Sequence, residues 1–328
     1  MAAEVLRIGL IGCGGIAAAH LEAYQQCENA EVVAVADIRP EAAQSLAAAA
    51  GAASYADYGQ MLAAEKLDGV SILTPPGPHR AIAEAALAAG AHVLCEKPMA
   101  GTAADGRAMV EAARAADRLL LVAQCHRFHE PVRRARARIE AGDLGTLSTY
   151  RNRFGYLRGT PDEATRGRGG VLLDNGSHSS YLFRYLVGPV ETVSGWAPAD
   201  QLGQVADLCV CSLQLGAADG VGGIIELDGA ARPCPNAIEV FGTEGSAIVD
   251  YSGGPSLFRP AAGEAVPLDD AQLPGNHRFQ REVDHFAACV LGRAEPEIDA
   301  TEGVADLQVL EAAYRAMCTG RRQAPQNS

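Results

Sequence analysis

The sequence has no apolar run of about 18 residues, the length a membrane-crossing helix requires. It has no basic segment followed by an apolar core at its start, so no secretory signal is expected there. Basic charge is scarce: 27 Lys and Arg stand against 40 Asp and Glu, a net charge of −13. That balance argues against nucleic acid or an anionic membrane as the main partner. The nine cysteines are scattered without CxxC spacing. Cys209 and Cys211 fall on one face of a strand-like segment, which suits packing better than zinc, so no metal is expected. Reduced thiols in a cytoplasm fit this pattern. Internal repeats and low-complexity segments are absent too, apart from a few polar residues at the end. A length of 328 residues suits two domains, each able to bury a core.

What the chain does have is concentrated at its start. Arg7-Ile-Gly-Leu-Ile-Gly-Cys-Gly-Gly-Ile-Ala places Gly12, Gly14 and Ala17 in the spacing GxGxxA, directly after an apolar strand-like run. Glycine lets a strand turn tightly into a helix while backbone N–H groups, here those around Gly14, Gly15 and Ile16, approach a pyrophosphate. The helix that follows aims its positive end at that anion. Asp37 ends the next apolar run, Glu31 to Ala36, where a carboxylate would grip an adenosine ribose. This constellation predicts dinucleotide binding. A carboxylate at 37 favours NAD over NADP by repelling a 2′-phosphate. Arg39 could soften that repulsion, so NADP stays the alternative.

Strand-like runs at Arg7–Ile11, Glu31–Ala36, Gly69–Leu73, Ala91–Cys95 and Leu119–Ala123 alternate with alanine-rich helical stretches at Ala17–Tyr24, Pro40–Ala50, His79–Ala89 and Ala103–Ala116. Gly51 and Gly90 stand where glycine ends a helix, and Thr102 with Asp105 reads as a cap. Such alternation predicts an α/β, doubly wound Rossmann sheet over residues 1–125, with ligand at the carboxyl ends of its strands. Residues 126–328 read as a second, α+β domain with a large, mainly antiparallel open sheet. Its strands are expected at Leu147–Phe154, Val190–Trp196, Leu208–Leu215, Gly223–Leu227, Ala237–Phe241 and Ser246–Asp250. Helices are expected at Leu172–Leu186, Arg278–Leu291 and Thr301–Cys318.

Cys95-Glu96-Lys97-Pro98 puts a charged pair at the carboxyl edge of the parallel sheet. Together with the glycine loop, it makes the chain resemble the Gfo/Idh/MocA family of nicotinamide-dependent oxidoreductases, whose second signature is Glu-Lys-Pro. Thr74-Pro75-Pro76-Gly77-Pro78-His79 is similar to the family's Thr-Pro-x-x-x-His segment, and Arg127-Phe128 to its Arg-Phe/Tyr pair. Asp174-Asn-Gly176-Ser-His178-Ser-Ser-Tyr181, straight after Gly169-Gly170, matches the third signature except at its last position, where Tyr181 replaces an acid. The resemblance implies coenzyme contacts from Thr74, Pro75, His79, Glu96, Lys97 and Arg127, and catalysis by Lys97, Asp174 and His178. It also implies a homodimer or homotetramer.

Asp174 and His178 are four apart and share one face of a helix. The reading assigns His178 to take a substrate hydroxyl proton, since its ordinary pKa lies near neutrality. Lys97 would polarise the reacting oxygen. Asp174 would bind substrate or orient the groups, and Tyr181 is the second choice as proton donor. Arg151, Arg153, Arg158, Arg166 and Arg168 cluster in an acidic chain. They suggest an anionic substrate held through Arg153 and Arg168, or a surface loop; Tyr156 and His277 are further candidate substrate contacts. The function expected is alcohol–ketone interconversion on a sugar, cyclitol or sugar nucleotide. A glycosidase or lyase using NAD without net redox change, and a non-catalytic dinucleotide sensor, are the alternatives.

Overall fold

A computed structural model describes residues 5–155, 166–229, 236–270, 272–274 and 276–326. The opening apolar run is β1 (Leu6–Ile11). It is followed by α1 (Ala17–Gln25), β2 (Ala30–Ala36), α2 (Pro40–Ala50), β3 (Ala53–Tyr55) and α3 (Tyr58–Ala64). Then come β4 (Gly69–Ile72), α4 (His79–Ala88), β5 (His92–Glu96), α5 (Ala103–Ala116) and β6 (Leu120–Ala123). All six strands pair in parallel, in the order β3-β2-β1-β4-β5-β6. Ile8, Leu10, Val35, Ile72 and Val93 are fully buried, as strands covered on both faces require. The order reverses beside β1, so the loop after β1 opens at the switch point where such sheets bind ligands. As expected, Gly51 ends α2 in the left-handed region, and the Thr102 hydroxyl accepts the Asp105 N–H at 3.1 Å to start α5.

The sequence pattern does not announce β3 or α3. The strand is three half-exposed residues without an apolar run, and the helix buries only Met61. Its start is fixed instead by Asp57, whose side chain accepts the Gln60 N–H at 2.9 Å.

The chain packs as two units, Met1–Cys125 with Gly275–Val304 and His126–Pro274 with Ala305–Ser328. The segment Gly275–Val304, expected in the second domain, packs with the first. The cause is α8 (His277–Val290), whose Phe286 is fully buried against Gly69 of β4, where a Cβ would stand 3.1 Å from the ring.

The second unit contains α6 (Glu130–Glu140), β7 (Leu147–Gly155), α7 (Gly170–Leu186), β8 (Val190–Trp196), β9 (Val210–Ala217) and β10 (Gly222–Asp228). It continues with β11 (Ala237–Gly242), β12 (Gly245–Asp250), β13 (Leu257–Pro260), β14 (Val266–Pro267) and most of α9 (Ala300–Thr319). The sheet order is β14-β13-β12-β11-β7-β10-β9-β8, and only the β7–β10 pair is parallel. Along β7, Tyr150, Asn152 and Phe154 are buried while Arg151 and Arg153 are exposed. Helix α7 lies on the buried face, where Phe183 meets Tyr150 edge-on with ring centres 5.3 Å apart. No helix among the described residues is long and apolar enough to cross a membrane.

Candidate active site

The loop between β1 and α1 is built to admit a ligand. Gly12 turns with φ of +100°, and a Cβ there would press on the Leu73–Thr74 backbone at 2.8–2.9 Å. At Gly14 and Gly15 a Cβ would meet nothing within 4 Å, so the loop is open where backbone must approach a pyrophosphate. Ile16 stands just before the first turn of α1, and no side chain caps that end, although the Ala17 N–H donates to the Gly14 carbonyl and the Ala19 N–H to the Ile16 carbonyl, each at 3.1 Å. Asp37 closes the far side. Its Oδ2 accepts the Cys13 N–H at 2.6 Å, and its Oδ1 accepts the Arg39 N–H at 2.8 Å and Nε–H at 3.3 Å. Burial opposes ionisation of this carboxyl, but these donors and the Arg39 charge outweigh it and hold Asp37 below the usual carboxylate range. The carboxylate keeps lone pairs for ribose hydroxyls. Arg39 lies exposed against it. Ile38, which the sequence reading passed over, is 90% exposed beside Asp37, a free apolar surface at the adenosine end. The Thr74 hydroxyl is buried and, among the described residues, has no hydrogen-bond partner, while Pro75 next to it is exposed. Together these residues fit a dinucleotide.

Glu96 and Lys97 stand where β5 ends, with Lys97 half-buried. Glu96 Oε2 accepts the Lys97 N–H at 3.0 Å, and Oε1 lies 3.0 Å from His20 Nε2. His79 corrects an expectation. It is fully buried, so its ring does not face a coenzyme. Nε2 is 2.8 Å from the Thr74 carbonyl and Nδ1 is 3.3 Å from Cys95 Sγ. Burial lowers the His79 pKa and pushes the Cys95 thiol well up. Nδ1 also lies 3.2 Å from the Pro98 carbonyl and 3.3 Å from the Met99 carbonyl, so both ring nitrogens face backbone acceptors. The ring ties the loop after β4 to the end of β5, a positioning role rather than a coenzyme contact.

In the second unit, α7 opens on Gly169 and Gly170, both at positive φ; a Cβ at Gly170 would collide with the Val205 and Leu208 carbonyls. This helix is buried on nearly every side although it carries Asp174, Asn175, Ser177, His178, Ser179 and Ser180. Burying so much polarity costs free energy unless it is satisfied or used. Ser180 donates to Asp306 at 3.1 Å, and Ser177 donates to the Asp174 carbonyl at 3.0 Å. Asp174 and His178 are each about nine-tenths buried. Arg168 Nε donates to Asp174 Oδ2 at 3.1 Å. The His178 ring sits edge-on to His126, with centres 4.4 Å apart, and to Phe154. His126 Nδ1 in turn lies 2.9 Å from the Tyr251 hydroxyl. Sequence reasoning missed His126 and Tyr251; the signal available was the run His126-Arg127-Phe128-His129 beside a matched motif. His20, a histidine in the glycine-loop helix, was missed as well.

Other expected site residues are placed differently. Tyr181 is 2% exposed and stacks on Tyr185. The Arg127 guanidinium, expected to meet the coenzyme, lies 4.0 Å over the Tyr185 ring. Arg153 projects from the face of β7 opposite Phe154 and pairs with Glu226 at 2.9 Å, so strand alternation turns it away from His178. Arg166 pairs with Asp207. His277 opens α8 and is buried in the first unit. Tyr156 and Arg158 lie outside the described residues.

Residues 6–124 match the family model described as "Oxidoreductase family, NAD-binding Rossmann fold", and residues 132–248 match the "GFO/IDH/MocA C-terminal domain". The chain is 30% identical over 333 residues to the rhizopine catabolism protein MocA of Rhizobium meliloti, covering 98% of both. It is 29% identical over 330 residues to D-apiose dehydrogenase of Paraburkholderia graminis, covering 95% of this chain and 88% of that protein. The crystal structure of the WlbA dehydrogenase from Bordetella pertussis, in complex with NADH and UDP-GlcNAcA, matches with a TM-score of 0.89 at 28% identity over 100% of both chains. The chain belongs to the Gfo/Idh/MocA family and is an oxidoreductase with an NAD-binding Rossmann domain.

Proposed function

We propose that this enzyme is an NAD-dependent dehydrogenase that interconverts a secondary alcohol and its ketone on a sugar, a cyclitol or a sugar nucleotide. The observation that carries this reading is the Asp174–His178 pair, two ionisable groups on one face of a buried helix. NAD, when bound, supplies the hydride acceptor at its nicotinamide ring. His178 takes the proton from the substrate hydroxyl in oxidation and returns it in reduction. Lys97 donates a hydrogen bond to the same oxygen and stabilises its developing negative charge. Asp174, neutralised in part by Arg168, orients the reacting hydroxyl. Asp37 accepts the ribose hydroxyls and sets the preference for NAD. The names of the relatives support the substrate class: one acts on apiose and one was crystallised with a sugar nucleotide. A homodimer or homotetramer follows from the same resemblance, and the exposed Trp196 and Ile224 on the larger sheet offer apolar surface for it.

The test is a panel of sugars, inositols and sugar nucleotides with each coenzyme, followed by NADH absorbance. Net NADH formation on at least one polyol is expected, with kcat/KM favouring NAD over NADP by about tenfold or more. Release of a product from a glycoside without net NADH would replace this reading with the non-redox one.

A further inference from the structure

We propose that His20 is a positioning residue for Lys97, acting through the Glu96 carboxylate. The proposal rests on the role given to Lys97 above and extends it to a side chain of the helix that follows the glycine loop. His20 lies on α1, the helix that follows the glycine loop, and is fully buried. Its Nε2 reaches Glu96 Oε1 at 3.0 Å, while Glu96 Oε2 holds the Lys97 N–H, also at 3.0 Å. One carboxylate therefore joins the coenzyme helix to the backbone of the lysine. With the Glu96 side chain only 9% exposed, water neither competes for these bonds nor screens them. A carboxylate with a fixed donor on each oxygen has a single orientation, and the peptide N–H that it holds sets where the Lys97 side chain begins.

The choice of histidine needs a reason, because an apolar side chain would pack at a fully buried site without the cost of burying a polar ring. Phe279 packs against the His20 ring with centres 6.0 Å apart, so the surroundings are already apolar. The Glu96 bond is what an apolar residue would not supply. The titratable groups around Glu96 are His20, His79, Cys95, Cys125, Lys97 and Glu282. Burial, reinforced by the Glu96 charge and opposed by Arg278, pushes the Glu282 carboxyl well above the ordinary range and so favours its neutral form beside the tie. Without the His20 donor, Glu96 Oε1 would be left buried and unsatisfied. Its cheapest relief is to turn toward the Lys97 ammonium, which raises the Lys97 titration midpoint and pulls the amine off its working direction.

Lys66 and Lys97 are the only two lysines in the chain, so protein labelled with 13C at lysine Cε gives two signals, with Lys66 as internal control. In His20→Phe, which keeps a ring but has no donor, the Lys97 midpoint is expected to rise by about half a pH unit or more, while Lys66 stays put. His20→Gln, which restores an N–H, is expected to return it. On a polyol that turns over, H20F should lower kcat about tenfold with KM for NAD within about threefold, and H20Q should recover most of the loss. Adding H20F to K97A should cost nothing more, because both act through one amine. Should H20F fail to fold, E96Q takes its place: it removes the carboxylate charge, so kcat is expected to fall as in H20F while the Lys97 midpoint falls rather than rises. An unmoved Lys97 signal, equal losses in H20F and H20Q, or losses that add in the K97A background would overturn the proposal. A K97A variant with near-normal kcat is a different failure: it removes the role of Lys97 itself.

Discussion

His79 of the first unit and His178 of the second are both buried histidines in different surroundings, and the proposed mechanism gives them opposite work. His79 has Nε2 against the Thr74 carbonyl and Nδ1 against the Pro98 and Met99 carbonyls and the Cys95 thiol, and burial lowers its pKa. Its ring bonds two loops and has nothing left for a substrate. His178 faces aromatic edges from His126 and Phe154 on a helix that buries a carboxylate one turn away. Burial alone does not separate the two histidines; what each ring faces does, backbone carbonyls and a thiol for His79 and aromatic edges for His178. The first unit spends its buried polarity on holding loops, and the second gathers it on one helix.

That contrast is broken most decisively by exchanging losses of activity for losses of stability. His178→Asn is expected to lower kcat by about 10²–10⁴, the range for a lost general base, while Tm falls by no more than about 3 °C. His79→Leu is expected to do the reverse. It leaves the Thr74 carbonyl without its donor, costing about 2 kcal/mol and several degrees of Tm, with kcat within about tenfold of normal. Steady-state kinetics and thermal melts on the two variants decide the matter. An H178N protein that melts as early as H79L but still turns over would make both histidines structural.

Two buried acids sharpen the comparison with a smaller effect. Asp306 of the second unit accepts from Ser180 and from Arg184, each at 3.1 Å. Glu282 of the first unit has both carboxyl oxygens buried and, among the described residues, unpartnered. Its folded pKa is raised far above the unfolded value of about 4.3. Stability from the protonated form is therefore complete below that value and is lost as pH rises toward the folded pKa. Glu282→Gln, which never ionises, is expected to match the parent near pH 4. By pH 8 it should melt higher, by about 2 °C or more. Asp306→Asn is expected to melt lower instead, because it weakens the acceptor for two fixed donors. Melts across pH that show no widening gap for E282Q would mean that Glu282 finds a partner in solution.

The first unit was largely legible because its chemistry lies where strands end, and strand ends are marked by contiguous residues: Gly12 to Ala17, Asp37, Glu96-Lys97-Pro98. What stayed hidden there was set by distance along the chain. The role of His79 depends on Cys95, sixteen residues later, and that of His20 on Glu96, seventy-six residues later. In the second unit, alternation exposed six strands, but β13 and β14 are short segments among prolines and glycines and gave no pattern. The arginine-rich α6 buries only Pro131, Val132 and Ala135, too little for an apolar stripe. Neighbours also misled: Arg153 and Phe154 are adjacent in sequence and on opposite faces of β7.

That last pair gives the smallest and most discriminating prediction. Arg153 and Glu226 are 47% and 52% exposed in their side chains, so water screens their bond and its contribution is about 1 kcal/mol or less. Arg153→Ala is therefore expected to leave kcat/KM within about twofold and Tm within about 2 °C. Arg168→Ala removes the guanidinium bonded to Asp174 and is expected to lower kcat/KM about tenfold. If the substrate proves to be a sugar nucleotide or sugar acid, the anion must be met by Arg168 or by groups outside β7, and neutral substrates should be insensitive to R153A as well. A tenfold loss of kcat/KM in R153A, selective for anionic substrates, would show that the outer face of the sheet takes part in binding, and the division of labour between the two faces of β7 would have to be abandoned.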